Sequence, residues 1–249
     1  MGIEVNIIKE KTNKLLEWTN NQVKNANKNG VVFGLSGGLD SALVAALCKK
    51  IFPDNTLGLI LPCESQKNDI DDALKVVQSF QLEYLKIDLT NIYHQLLSSI
   101  NSSINIDNQK NIMAKANIKP RLRMTILYYI ANINNYLVVG TGNKSELSIG
   151  YFTKYGDGGC DILPIGNIYK SEVKKIAEYL NVPEEIINKP PTAGLWEGQT
   201  DEKEMGFSYK TLDNFLSTGK INTEIDKKKI LNMIENSKHK RKTPPIPDF

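Results

Sequence analysis

Val31-Val32-Phe33-Gly34-Leu35-Ser36-Gly37-Gly38-Leu39-Asp40-Ser41 passes from an apolar stretch into a glycine turn and then into the helical pattern of residues 42–49. A short apolar run of this kind reads as a strand buried on both faces, the habit of a parallel sheet. The paired glycines allow a tight turn whose backbone N–H groups converge, and the following helix aims its positive dipole end at the same place. Ser36 and Ser41 add hydroxyl donors, so residues 34–41 make a cradle for a phosphate-like anion. This is no Walker A loop, since Gly-Lys-Ser/Thr is missing, and no dinucleotide GxGxxG, since the glycines fall at 34, 37 and 38. Asp40 at the helix start would repel a phosphate unless a cation lay between them, which points to Mg²⁺. The plain alternative is a glycine turn whose helix is capped by Asp40 and Ser41.

The same grammar repeats outward from this stretch. Residues 56–61 form an apolar run followed by a helical pattern from Asn68, residues 82–87 form a third run followed by more helix, and residues 136–140 follow a long helix over 118–132. Strands alternating with helices predict βαβ crossovers in an α/β fold: an open, mostly parallel Rossmann-like sheet of at least four strands, with helices on both faces. Residues 5–23 carry apolar positions near helical spacing in an Asn- and Lys-rich context and read as a surface helix. Residues 98–109, 155–159 and 189–194 are rich in Asn, Ser, Gly or Pro and are expected to be mobile loops. No stretch resembles an interdomain linker, so residues 1–249 are expected to form a single domain.

Composition narrows the function classes. With 41% hydrophobic and 24% charged residues, the chain can bury a sizeable core without disulfide or metal staples. A formal charge of +3 is too small to argue for nucleic acid or membrane, so neither is expected as a partner. Cys48, Cys63 and Cys160 are odd in number, far apart and without metal-ligand spacing, which suits a reducing compartment. With no membrane-length apolar run and no signal-like N-terminus, a cytoplasmic protein is expected.

Two further stretches carry chemistry. Gly140-Thr141-Gly142-Asn143-Lys144-Ser145-Glu146 follows a strand, placing Thr141 and Glu146 at the carboxyl edge of the sheet, where ligands bind. Glu146 is then a candidate second carboxylate for the cation that Asp40 begins to hold, or else a solvated helix residue. The glycine-rich residues 150–164 contain Lys154, suited to a phosphate or carboxylate, and Asp161, suited to sugar hydroxyls; a surface loop of glycine turns is the alternative. Lys227-Lys228-Lys229 and Lys238-His239-Lys240-Arg241-Lys242 are charge runs of the kind usually found on solvated faces.

Ser36-Gly37-Gly38-Leu39-Asp40-Ser41 resembles the SGGxDS pyrophosphate loop of the N-type ATP pyrophosphatases, which cleave ATP between its α and β phosphates. Asn117-Ile118-Lys119-Pro120-Arg121-Leu122-Arg123-Met124, residues 139–146 and 152–159, Lys189-Pro190-Pro191-Thr192-Ala193-Gly194-Leu195 and His239-Lys240-Arg241 extend the resemblance, along nearly the whole chain, to the ammonia-dependent NAD synthetases. That family makes NAD from deamido-NAD, ATP and ammonia as a homodimer, with a dinucleotide site built partly across the subunit interface. The resemblance implies an adenine nucleotide alpha-hydrolase-like sheet. It further implies that Gly34, Leu35, Ser36, Gly37, Gly38, Leu39, Asp40 and Ser41 hold the ATP phosphates, with Thr141, Lys170 and Thr192 also touching ATP. Asp40 and Glu146 would bind Mg²⁺, and Asp40 and Lys170 would be the catalytic pair. Arg121, Lys154, Asp161, His239 and Lys240 would contact deamido-NAD.

The expected reaction adenylates the nicotinate carboxylate and lets ammonia expel AMP. It needs no covalent nucleophile, which agrees with the lack of any Ser-His or Cys-His motif. Residues 64–68 and 192–204 are lid candidates, to exclude water from the adenylate. A tRNA thiolase with the same loop would call for paired cysteines and a broad basic face, and a GMP synthetase for an amidotransferase partner. A regulatory module would bind ATP without releasing pyrophosphate.

Overall fold

The computed structural model describes residues 2–104, 111–192, 194, 198–221 and 223–248. Along the chain run α1 (Gly2–Asn25), β1 (Gly30–Gly34), α2 (Leu39–Ile51), β2 (Thr56–Ile60), α3 (Lys67–Phe80), β3 (Glu83–Lys86), α4 (Thr90–Ser103), α5 (Ile112–Ala116), α6 (Ile118–Asn134) and β4 (Tyr136–Val138). Then follow α7 (Lys144–Ile149), α8 (Lys170–Tyr179), α9 (Glu184–Ile187), α10 (Asp201–Met205), α11 (Tyr209–Thr218), α12 (Glu224–Asn236) and a 3₁₀ turn, Lys238–Lys240.

The sheet order is β3-β2-β1-β4, and every pair is parallel, as the repeating grammar predicts. From β1 the chain steps to β2 and β3 on one side and returns to β4 on the other. The strand order therefore reverses between β1 and β4, and the crevice outside their carboxyl ends is where such sheets bind ligands. Both motif-bearing loops, residues 35–38 and 139–143, leave the sheet at this point. The strands end a residue or two before the apolar runs do, but ladder bonds persist: the Leu35 N–H donates to the Leu59 carbonyl at 2.8 Å, and that of Val139 to Val32 at 2.8 Å.

Two layers cover the sheet. On one side Phe33, Leu43, Leu47, Val76, Ile176 and Ile186 pack together, all fully buried. Ser41 through Cys48 are buried along α2, which explains a helix without a polar face. On the other side Val32, Leu59, Leu89, Tyr93 and Ala131 join α4 and α6 to the sheet. A third cluster, Ile149, Phe207, Tyr209, Leu212 and Ile230, ties α11 and α12 to α7.

One expectation is corrected. Residues 98–103 form the last turns of α4 rather than a loop, because Ser99, Ser102 and Ser103 turn their hydroxyls back onto the carbonyls of Gln95 and Ser99 and leave the ladder intact. Residues 105–109 of the expected loop lie outside the described residues, as do Ala193 and residues 195–197 of the second lid candidate. Among the described residues, no helix is long and apolar enough to cross a membrane.

Candidate active site

A cavity of about 1190 Å³ opens at the β1/β4 switch point. It is lined by Gly34, Leu35, Ser36, Gly38, Leu39, Asp40 and Ser41 of the glycine turn, and by Thr141, Glu146, Lys170 and Thr192. Of the positions singled out around ATP, Gly37 alone faces away. Its φ of +77° is left-handed, and a Cβ there would sit 2.3 Å from the Asp69 carbonyl at the start of α3. Glycine is thus required at 37 by packing against α3, while the open face belongs to Gly38.

The turn is held by its own serines. The Ser36 N–H donates to Ser41 Oγ at 3.2 Å, Ser41 Oγ donates to the Gly38 carbonyl at 2.9 Å, and the two hydroxyls lie 3.0 Å apart. Gly38 is the N-cap of α2 and no side chain caps that end, so neither Asp40 nor Ser41 plays the plain capping role. The exposed N-terminal amides keep their capacity for an anion.

At the mouth of the turn sits a charged cluster. The Lys170 ammonium donates to Asp40 Oδ2 and, at 3.3 Å, to Glu146 Oε1. The side chains of Lys170, Asp40 and Glu146 are only 11%, 17% and 16% exposed, so they interact in a partly dried environment. Burial pushes the Glu146 carboxyl up to about 7; Lys170 pulls it down and Asp40 and Asp201 push it further up. Burial alone would lower the Lys170 ammonium, but Asp40 and Glu146 outweigh it and hold the group raised, hence charged.

Three residues that sequence reasoning missed complete this cluster. Asn143, fully buried, donates through Nδ2 to Asp40 Oδ1 at 3.0 Å and accepts the Glu146 N–H at 3.0 Å, while Glu146 Oε2 accepts the Asn143 N–H in a capping box. The Tyr209 hydroxyl lies 3.2 Å from Glu146 Oε1 and 2.9 Å from Asp201 Oδ2, with its ring beneath the Lys170 ammonium. Asp201 is 4% exposed, and burial raises its carboxyl although Tyr209 and Lys170 oppose the shift. The Asn-x-x-Glu spacing was a readable signal; Tyr209 and Asp201 gave none.

Asp40 and Glu146 are the two carboxylates expected to hold Mg²⁺, and the donor set fits that ion. Oxygen ligands suit a hard cation, and Lys170 already marks a cation position between them. Among the described residues no three His, Cys, Asp or Glu side chains converge on a metal position. An ion here would take two protein carboxylates and complete its shell with water and phosphate, as Mg²⁺ commonly does.

The residues expected around deamido-NAD fall into two places. Arg121 donates to the Lys154 carbonyl at 3.3 Å, Lys154 Nζ donates to the His239 carbonyl at 2.8 Å, and Lys240 Nζ donates to the carbonyls of Gly150 and Phe152, both at 2.8 Å. The C-terminal turn therefore docks on residues 150–154 and brings four of the five residues together, with Lys240 reaching the cavity wall. Asp161 stands apart. Its Oδ2 accepts the Val138 N–H at 2.8 Å and its Oδ1 the Tyr128 hydroxyl at 3.0 Å, closing the outer edge of β4. Arg123, also missed, donates to the Leu61 carbonyl at 2.9 Å and to Ser65 Oγ at 3.3 Å, fixing the loop after β2.

The model of the NAD synthase family matches residues 11–244. The chain is 51% identical over 238 residues to the NH₃-dependent NAD⁺ synthetase of Carboxydothermus hydrogenoformans, covering 96% of this chain and 97% of that one. It is 44% identical over 258 residues to the NH₃-dependent NAD⁺ synthetase of Methanocaldococcus jannaschii, covering 97% and 98%. Among solved structures it is similar to an NMN synthetase from Francisella tularensis, with 41% identity, a TM-score of 0.91 and 97% and 99% of the two chains covered. It is also similar to an NH₃-dependent NAD synthetase from Campylobacter jejuni, with 33% identity, a TM-score of 0.79 and the same coverage.

Proposed function

The chain belongs to the NAD synthase family and is an enzyme of the ligase type, and on that premise we propose that it uses ATP to amidate deamido-NAD with free ammonia, yielding NAD, AMP and pyrophosphate. The observation that carries this reading is that one cavity of about 1190 Å³ is lined both by the glycine turn and by residues 149–153, 156, 157, 159 and 160, with the Lys170 cluster in its wall. A carboxylate is a poor electrophile with a poor leaving group, and adenylation solves both problems. A carboxylate oxygen attacks the α phosphorus, the bond to the β phosphate breaks, and pyrophosphate leaves. The ammonia lone pair then attacks the acyl carbon, loses a proton and expels AMP.

The backbone N–H groups of Leu39, Asp40 and Ser41 at the open N-terminus of α2 hold the departing pyrophosphate, and Lys170 offsets charge as it gathers on the phosphates. Asp40 and Glu146 would hold Mg²⁺, whose chemistry here is charge neutralisation of the triphosphate. Asn143 and Tyr209 keep the two carboxylates oriented. Residues 121, 154, 239 and 240 supply a basic rim for the acceptor, and residues 198–204, whose Gln199, Asp201, Glu202 and Glu204 line the cavity, exclude water.

The active form we propose is a homodimer. Ile92 and Leu96 on α4, with Tyr129 and Ile133 on α6, are exposed apolar residues on helices that cover the same face of the sheet. Three free thiols suit a reducing cytoplasm, and no nucleic acid is needed. Purified protein supplied with ATP, Mg²⁺, ammonium and deamido-NAD is expected to form NAD, AMP and pyrophosphate in equal amounts, with little product when glutamine replaces ammonium. ATP binding without product would contradict the acceptor.

The Francisella neighbour, an NMN synthetase by name, favours a second reading in which nicotinate mononucleotide is the acceptor. The chemistry at the carboxylate is the same and the adenylate half is absent. A kcat/KM higher for the mononucleotide than for deamido-NAD would select it.

A further inference from the structure

Helix α11 offers two side chains one turn apart to the charged cluster, and neither faces solvent. Tyr209, 6% exposed, reaches Glu146 Oε1 on α7 at 3.2 Å. Asp213, 7% exposed, accepts the Ser145 hydroxyl through Oδ1 and the Ser171 N–H through Oδ2 at 2.9 Å. Ser145 in turn accepts the Lys170 N–H at 3.0 Å. Glu146 and Lys170 belong to different helices, α7 and α8, separated by a long loop. Asp213 bonds to their immediate neighbours, Ser145 and Ser171, while the Tyr209 hydroxyl lies between Glu146 Oε1 at 3.2 Å and Asp201 Oδ2 at 2.9 Å, with its ring 5.1 Å beneath the Lys170 ammonium. A buried carboxylate is costly unless its oxygens are satisfied, and both Asp213 oxygens are spent on α7 and α8.

We propose that Tyr209 and Asp213, which also lie in the cavity wall, form a brace that holds Glu146 and Lys170 in the arrangement turnover requires, acting as positioning residues through those two side chains. The proposal rests on the amidation reading above. It departs from a general role in folding because the two residues bind the same pair of helix starts and so act as a unit.

The test uses the full chain with Tyr209→Phe, Asp213→Asn and the double substitution. Each single substitution is expected to lower kcat about 10–100-fold, as loss of a ligand-orienting partner commonly does. The KM for deamido-NAD should stay within about threefold, and Tm within a few degrees. The double variant is expected to be no more than about threefold worse than the weaker single, because residues acting as a unit are not additive. Losses that multiply, or a kcat loss that tracks a fall in Tm, would overturn the proposal. Should D213N fail to fold, Ser145→Ala removes the shared hydroxyl and takes its place in the same cycle. ATP affinity with and without Mg²⁺, measured without acceptor, separates the two layers of inference. If the wild-type protein makes no NAD, the amidation reading fails; the gain in ATP affinity from Mg²⁺ must still shrink about tenfold in Y209F, and an unchanged gain overturns the brace.

Discussion

Asn143 joins Asp40 to Glu146, donating to one carboxylate at 3.0 Å while its own oxygen accepts the backbone N–H of the other at 3.0 Å. A fully buried amide thus fixes α2 against α7 at the point where both carboxylates face the cavity. Asn143→Ala removes the α7 cap and leaves Asp40 Oδ1 without this donor. We expect a loss of about 1–2 kcal/mol in stability and about 10–100-fold in kcat, read from denaturant midpoints and steady-state rates. Wild-type kcat in this variant would contradict the role.

Glu146 sets a pH dependence of stability. Its carboxyl is raised from the ordinary 4.5 to about 7 in the folded protein, with burial as the main cause. The folded state therefore binds the proton more tightly than the unfolded state, and this contribution to stability fades as pH rises from about 4.5 to about 7. Without divalent cation, Tm should fall across that window by a few degrees more in the wild type than in Glu146→Gln. Equal slopes would contradict the assignment.

Gly37 packs its backbone against α3. A Cβ at this position would lie 2.3 Å from the Asp69 carbonyl on a backbone with φ of +77°. Gly37→Ala is expected to cost about 1–3 kcal/mol and to displace the turn, lowering ATP affinity and Tm together. An affinity loss with Tm unchanged would show that Gly37 serves the ligand directly.

Much of the fold was readable because its signals are local. Residues 31–35, 56–61 and 136–140 are apolar runs bounded by turns, and parallel strands need nothing more. Asp40 and Glu146 were readable because each sits just past a strand end. Tyr209 and Asp213 were not, since their partners lie 63 and 68 residues away and only tertiary packing brings them together. Asp201 is silent for the same reason. The serines of residues 98–103 misled because Ser favours loops by composition yet tolerates a helix when it bonds back to it.

Asp161 separates a binding role from a structural one. Its carboxylate accepts the Val138 N–H at 2.8 Å along the edge of β4, so Asp161→Ala should cost about 1–2 kcal/mol in stability. If Asp161 also meets deamido-NAD, as the family resemblance implies, the KM for that substrate rises as well. A stability loss with KM unchanged assigns Asp161 to the sheet edge alone.

The central claim is that the acceptor carboxylate is activated on the α phosphate of ATP. It is tested most directly with deamido-NAD labelled with ¹⁸O in its nicotinate carboxylate, in the presence of ATP, Mg²⁺ and ammonium. The account predicts that one labelled oxygen appears in the phosphate of AMP for each NAD formed, with none in pyrophosphate. Label in pyrophosphate, or formation of ADP and phosphate in place of AMP, would contradict it.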